Sequence, residues 1–312
     1  MSNRRLTVLI AAGLAASLAT ASCGRQPRRG AADAGKIPVF VGIPPIAYFA
    51  ERVGGEHLDA RVLVAPGHSP HTFEPTPRQV AELNSAKAYF SMGMLFEERI
   101  LAKVTAANPD LAVVDCRRGI ELRTIEEGEV HEGAHEDESE EQENAGQLDP
   151  HVWLDPRLAK AIAANIRDGL KAVDTAHGCD YDANLAEVQK DLDDLDADLR
   201  RQLAPLKGQV FMVFHPAFGY FARAYGLSQL AVETGGREPG LRQLAALTAE
   251  ARERGIRVVF VQPQFSKKSA DTVAKAIGGA VVPIDPLARD YIANLREVGA
   301  KIAASFGGED GQ

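Results

Sequence analysis

The 312-residue chain has few cysteines, one long apolar run and no excess of positive charge. Its three cysteines include no Cys-x-x-Cys pair, so no zinc site made of thiolates is predicted, and the sequence leaves open whether Cys116 and Cys179 pair. Lys and Arg number 35 against 43 Asp and Glu, and the resulting net charge of −8 argues against nucleic-acid binding. With 45% hydrophobic residues the chain can bury a large core, which excludes disorder, collagen and coiled coil for the whole chain.

The one long apolar run lies at the N-terminus. Arg4 and Arg5 precede apolar residues from Leu6 to Leu18, which are too few for a comfortable membrane span and are followed by small residues. This pattern is typical of a secretory signal peptide, which we expect over residues 1–22. The protein should therefore be exported from the cytoplasm.

Two processing routes stay open for the signal peptide. Ala19-Thr20-Ala21 suits ordinary signal peptidase, whereas Thr20-Ala21-Ser22-Cys23 resembles a lipobox in which Cys23 carries a lipid, although the usual Leu of that motif is missing. The polar residues 23–35 predict a flexible tether. We therefore favour a lipoprotein on the extracytoplasmic face over a free periplasmic protein.

From Lys36 onward, short apolar runs alternate with helical patterns, as in parallel sheets with crossover helices. The sequence predicts an α/β fold of two similar lobes, each a mostly parallel four-stranded sheet flanked by helices. We expect the N-terminal lobe over residues 36–180 and the C-terminal lobe over residues 206–312. The predicted strands are Ile37–Ile43, Leu58–Val64, Ala88–Met92, Leu111–Asp115, Gln209–Phe214, Ser228–Val232, Val258–Gln262 and Ala280–Ile284.

One long linking helix is predicted between the lobes, over residues 181–205. Its apolar residues recur at spacings of three and four and so share one face. They are Leu185, Val188, Leu192, Leu195, Leu199 and Leu203. A single continuous helix should restrict the lobes to small rocking movements.

Four residues are candidate metal ligands because of their positions along the chain. His71 lies just beyond the second strand, and His151 lies between two prolines beside the only tryptophan. His215 and Asp285 directly follow apolar strands of the second lobe. Ligands of open parallel sheets bind outside the carboxyl ends of strands, and three imidazoles with one carboxylate suit a tetrahedral first-row metal site.

The segments around these residues resemble, in the same order, the four signature regions of the zinc/manganese solute-binding proteins of ABC uptake transporters. The resemblance covers about residues 37–305 of this chain. The four segments are GHSPHTFEPTP at 67–77, DPHVWLDP at 149–156, FHPAFGYF at 214–221 and IDPL at 284–287. Each contributes one of the four candidate ligands.

The resemblance implies that these four side chains hold one transported ion, which an ABC permease in the membrane then receives. Three nitrogen donors favour zinc, Zn²⁺, while manganese stays open as the alternative metal; manganese-selective relatives often have Glu where this chain has His215. The protein would then be a monomeric binding component with no enzymatic activity. The alternatives of another class are a zinc hydrolase, for which Glu74 is the acid nearest to His71 in sequence, and a surface adhesin.

The acidic surplus is concentrated in residues 126–147, which contain nine Glu, one Asp and no Lys or Arg. Zinc-type relatives carry a charged, His-rich loop at this point. His131 and His135 would then be auxiliary residues that capture zinc weakly. The alternative is a solvated acidic insertion with no role in binding.

Overall fold

A computed structural model of the chain describes residues 35–125, 148–233 and 239–307. In the first lobe, strands alternate with helices. The strands are β1 (Ile37–Val41), β2 (Leu58–Val62), β3 (Ala88–Ser91) and β4 (Ala112–Asp115), and the helices are α1 (Pro44–Gly54), α2 (Pro77–Leu83) and α3 (Leu95–Ala107).

Two long helices follow, α4 (Pro156–Val173) and α5 (Gly178–Leu203), and the second lobe then repeats the alternation. Its strands are β5 (Val210–Val213), β6 (Ser228–Ala231), β7 (Val258–Val261) and β8 (Ala280–Pro283). Its helices are α6 (Gly219–Tyr225), α7 (Leu241–Glu253), α8 (Lys267–Ile277) and α9 (Tyr291–Phe306).

Both sheets are parallel and share one strand order, β2-β1-β3-β4 in the first lobe and β6-β5-β7-β8 in the second. The predicted fold class is confirmed. Most strands end one or two residues earlier than predicted, because apolar residues such as Ile43 and Val64 stay buried in the turn toward the next element. In each sheet the connections leave in opposite directions from the two central strands, which creates the crevice where ligands of such sheets bind.

Helix α5 is the predicted linking helix. It has 26 residues and is about 39 Å long at 1.5 Å per residue, and its predicted apolar face is buried. It begins at Gly178, before the predicted residue 181, because Asp174 caps the 3-10 turn Thr175–His177 that leads directly into it. The helix packs against α4, against α1 of the first lobe and against α9 of the second. The lobe boundaries at residues 180 and 206 stay predictions.

One hydrophobic core extends through both lobes and α5, and a smaller core lies between the second sheet and helices α7 and α8. At the junction of the lobes, Tyr291 of α9 packs against Phe49 of α1, with ring centroids 4.7 Å apart. Because the lobes share buried apolar surface, a wide opening between them would expose part of this core to water.

The predicted signal peptide, most of the tether, Cys23 and the acidic segment with His131 and His135 lie outside the described residues. Within the described part of the chain, no helix combines the length and hydropathy that crossing a membrane requires. Cys116 is buried and Cys179 is exposed, and the two do not form a disulfide with each other.

Candidate metal centre

His71 lies on the loop between β2 and α2, which is held at both ends. Gly67 adopts a φ of 80°, in the left-handed region that favours glycine, and so allows a sharp turn before His71. The backbone N–H of His71 donates a hydrogen bond to Oγ of Ser69 at 3.2 Å. At the far end, Thr76 and Gln79 form a reciprocal capping box that starts α2.

His151 lies beside the buried 3-10 turn Val152–Leu154 that leads into α4. It donates two hydrogen bonds to Oδ1 of Asp149, one from its backbone N–H at 2.9 Å and one from ring Nδ1 at 2.7 Å. Both residues are buried, at 4% and 1% exposure. Because Nδ1 is hydrogen-bonded, Nε2 is the ring nitrogen of His151 that is left to bind a metal ion.

His215 lies two residues beyond the end of β5 and is held by Gln262, which follows the neighbouring strand β7. The side-chain amide of Gln262 donates to the carbonyl oxygen of His215 at 2.8 Å and accepts from its backbone N–H at 3.1 Å. The ring of Phe265 stacks on the imidazole with centroids 4.8 Å apart and an interplanar angle of 20°. These contacts fix both the backbone and the ring of His215.

The structure brings these three histidines together from three separate parts of the chain. One potential ligand nitrogen of each lies within 4.8 Å of those of the other two. The Nε2 atoms of His71 and His215 are 3.2 Å apart. Two nitrogens bound at zinc–nitrogen distances of about 2.0–2.1 Å in a tetrahedral site lie roughly 3.3 Å apart. The spacing of His71 and His215 therefore fits a single zinc ion, and His151 lies close enough to contribute a third nitrogen.

Asp285, the fourth predicted ligand, follows β8 as expected but is not a member of this histidine group. Its Oδ1 accepts hydrogen bonds from the backbone N–H of Leu287 at 2.9 Å and from Nε2 of Gln264 at 3.2 Å. Three histidines leave one further position on a tetrahedral ion. That Asp285 fills it stays a prediction.

Two buried carboxylates beside the histidines were not predicted as functional residues. Asp149 contacts His151 as described above, and Oε2 of Glu233 lies 3.3 Å from Nδ1 of His215. Glu233 is 3% exposed. Asp149 lies two residues before a predicted ligand. Glu233 directly follows the predicted strand Ser228–Val232, which is the same kind of position that made His215 and Asp285 candidates, and this was the available signal.

The surroundings of His71 and His215 favour the neutral form of their imidazoles. Part of His71 faces solvent, but its ring packs among the other imidazoles, and this burial, followed by the proximity of His215 and His151, lowers the pKa of His71 to about 3. Burial also lowers the pKa of His215, against the opposing effect of Glu233. Because neutral imidazole is the form that binds metals, these shifts favour metal binding.

Comparison with known proteins gives independent information. The family model of the zinc-uptake complex component A, periplasmic (ZnuA), matches residues 39–305. The high-affinity zinc uptake system protein ZnuA of Bacillus subtilis is 30% identical over 275 residues, which cover 86% of this chain and 85% of that protein. A crystal structure of ZnuA has a TM-score of 0.78 and 37% identity, and the match covers 87% of this chain and 99% of that one.

A second relative is longer than the chain. The zinc-binding protein AdcA of Streptococcus pyogenes is 30% identical over 264 residues, which cover 81% of this chain but 51% of AdcA. The chain thus spans about half the length of that relative. The residues matched by the family model include all four predicted ligands.

Proposed function

The chain belongs to the zinc-uptake complex component A family of metal-binding proteins from ABC uptake systems, and from this we propose that it binds Zn²⁺ outside the cytoplasm and delivers it to an ABC importer. The observation that carries the proposal is the convergence of His71, His151 and His215 at a spacing that fits one zinc ion. The relatives named for zinc binding and zinc uptake support it.

Zinc is favoured over manganese by the donor atoms. The converging group consists of imidazole nitrogens, which suit zinc, whereas manganese prefers carboxylate, carbonyl and water oxygens. Most divalent sites also bind zinc more tightly than manganese whatever their role. Manganese therefore stays the alternative cargo, and the comparison of the two metals has to be made on variants as well as on the natural protein.

The proposed ligands are tested by competitive zinc titration of chelator-treated protein against a chromophoric chelator. Alanine at His71, His151 or His215 should weaken zinc binding by about 100-fold or more, since even residues that only support a ligand are worth about 10–100-fold. Asp285→Ala should weaken it as well if Asp285 is the fourth ligand. His177→Ala is the control, because His177 pairs with Asp174 and is not a member of the converging group. Zinc binding that survives all three histidine substitutions would refute the proposal.

We further propose that the protein is an exported monomer whose Cys23 carries a lipid, with the permease as its partner. The apolar N-terminal run and the lipobox-like segment support export and lipidation. Fractionation of cells that express the natural chain and Cys23→Ala tests this. Release of the variant from the membrane fraction is expected, and an identical distribution would contradict lipidation.

A zinc hydrolase is the second candidate, because HEGAH at residues 131–135 matches the H-E-x-x-H pattern of zinc peptidases. That pattern binds zinc when a helix places both histidines on one face. The segment here is acidic and contains Gly133, which disfavours a helix, and it lies outside the described residues. Glu74, the other candidate base, is exposed and is not a member of the converging group. Peptide or ester hydrolysis that His131→Ala abolishes and His71→Ala leaves intact would establish this candidate.

A further inference from the structure

Two buried carboxylates lie on the Nδ1 side of the histidines, away from the nitrogens proposed to bind zinc. Oδ1 of Asp149 is 2.7 Å from Nδ1 of His151, and Oε2 of Glu233 is 3.3 Å from Nδ1 of His215. The carboxylates are 1% and 3% exposed. Burying a charged group costs free energy unless a hydrogen bond or an opposite charge compensates for the lost water. The positions of these two carboxylates therefore need an explanation.

The first reason is the position of the ring proton. A neutral imidazole carries one proton, on Nδ1 or on Nε2, and only the nitrogen without it can bind a metal. A carboxylate at Nδ1 keeps the proton there and leaves the lone pair of Nε2 for the ion. Nδ1 of His215 and Oε2 of Glu233 lie 3.3 Å apart, and neither atom has a hydrogen-bond partner elsewhere among the described residues.

The second reason is charge. Three neutral imidazoles bring no negative charge to a divalent cation, while Asp149 and Glu233 bring two. The buried cation Arg123, whose Nε lies 3.9 Å from Oδ2 of Asp149, offsets one of these charges, so the net contribution is one negative charge. Negative charge fixed beside the ligands compensates a dication that leaves water for a buried site.

The backbone holds both carboxylates in place. The Asp149 N–H donates to the carbonyl oxygen of Arg123 at 2.8 Å, beside the isolated β-bridge between Thr124 and Leu148. The Glu233 N–H donates to the carbonyl oxygen of Phe214 at 2.9 Å, which continues the pairing of β5 and β6. Backbone hydrogen bonds therefore fix the positions of both carboxylates relative to the histidines that they contact.

We propose that Asp149 and Glu233 are positioning residues for zinc, which hold the Nδ1–H tautomers of His151 and His215 and balance the charge of the ion. This proposal rests on the proposed function, since it assigns a role toward the same ion. The two residues act through the histidines and need not touch the metal.

The test uses two kinds of substitution at each position in the full chain. Asp149→Ala and Glu233→Ala remove the carboxylate, whereas Asp149→Asn and Glu233→Gln keep its shape and one acceptor oxygen but remove the charge. Asp174→Asn is the matched control, because Asp174 contacts Nδ1 of His177 at 2.6 Å in a histidine–carboxylate pair outside the converging group. Zinc affinity, thermal unfolding and the ring-nitrogen tautomers from long-range ¹H–¹⁵N correlation spectra of the metal-free protein are measured.

Each alanine variant should bind zinc about 10–100-fold more weakly, with the amide variants between these and the natural protein. The spectra should show ring protons of His151 or His215 moving from Nδ1 toward Nε2, while Asp174→Asn changes neither affinity nor these rings. If an alanine variant does not fold, its amide counterpart decides. Natural affinity in both the alanine and amide variants, or weaker binding with unchanged tautomers, overturns the proposal. A natural protein that does not bind zinc at all refutes the proposed function instead.

Discussion

The indole N–H of Trp153 donates a hydrogen bond to the carbonyl oxygen of Pro286 at 2.8 Å. This bond joins the segment of His151 to the loop of Asp285. Tyr291 adds to it, because its hydroxyl donates to the carbonyl oxygen of Trp153 at 2.5 Å. These two hydrogen bonds thus connect the segments that carry two predicted ligands.

Replacing Trp153 by Phe should destabilise the protein and speed the release of zinc. The carbonyl oxygen of Pro286 would lose its donor, at a cost of about 1–3 kcal/mol if it stays buried. Urea unfolding followed by circular dichroism measures the stability, and mixing zinc-loaded protein with excess chelator measures release.

Tyr89→Phe is the control for this prediction. Tyr89 is fully buried and donates to Oε1 of Glu97 at 2.9 Å, so its loss also removes one buried hydrogen bond, away from the predicted ligands. It should lower stability and leave the release rate unchanged. Equal release rates in the two variants would show that the Trp153 bond does not affect the site.

Most of the fold could be predicted because its signals are local. Thr76 and Pro77 predict a helix start and α2 begins at Pro77, since a cap and a first-turn proline act within one turn. The start of α5 was placed too late, because Gly178 and Cys179 carry no helical signal and the cap on Asp174 acts through a separate turn.

The site could be predicted only in part, because contacts across strands depend on register. His215 could be chosen as a candidate because it ends an apolar strand. Glu233 also follows a predicted strand, but its place beside His215 could not be predicted. That place depends on the pairing of Val213 with Ala231, which the hydrogen bond from the Glu233 N–H to the Phe214 carbonyl oxygen continues. A strand's own sequence does not state which residues of its neighbour it faces.

The stability of metal-free protein should fall as the pH falls below about 6.5. Unfolded histidine has a pKa of about 6.5, whereas the pKa of folded His71 is lowered to about 3. Between these values the unfolded chain binds more protons than the folded one, so the free energy of unfolding decreases on acidification. The lowered pKa of His215 acts in the same direction.

Urea unfolding of chelator-treated protein across this pH range measures the effect. The slope of the unfolding free energy against pH measures how many protons the chain takes up on unfolding. His71→Asn should lower this number by up to one, because the imidazole whose pKa differs between the folded and unfolded states is gone. His177→Asn is the control for histidine loss outside the converging group. A slope that His71→Asn does not alter would show that His71 is not held neutral by the fold.

Exchanging His215 for Glu should shift the preference from zinc toward manganese. The substitution replaces a nitrogen donor by oxygen donors, which manganese prefers, and it also places a second carboxylate near Glu233. Competitive titrations should give a lower zinc affinity and a smaller ratio of zinc to manganese affinity than in the natural protein. Adding Glu233→Gln should recover part of the affinity by removing the repulsion between the two carboxylates. An unchanged ratio in both variants would contradict the assignment of His215 as a ligand.

Replacing Gly299 by Ala should destabilise the contact between α9 and the linking helix α5. A Cβ atom at Gly299 would lie 2.4 Å from Cδ2 of the fully buried Leu199, so the Leu199 side chain or one of the two helices has to shift. Such overpacking costs about 1–3 kcal/mol. The higher helix propensity of alanine stabilises the folded state by up to about 1 kcal/mol relative to glycine. The overpacking outweighs this gain, so the net effect is a loss of stability.

Gly178→Ala is the matched control for that substitution, since a Cβ there meets only the flexible side chain of Lys171, at 3.3 Å or more. It should leave stability unchanged or slightly raised in urea unfolding. Because α5 contacts α1 and α9 at once, Gly299→Ala should also change the fit of the two lobes and weaken zinc binding. If both glycine variants unfold at the same urea concentration and bind zinc alike, α9 is not tightly packed on α5, and the linking helix does not fix the relation between the lobes.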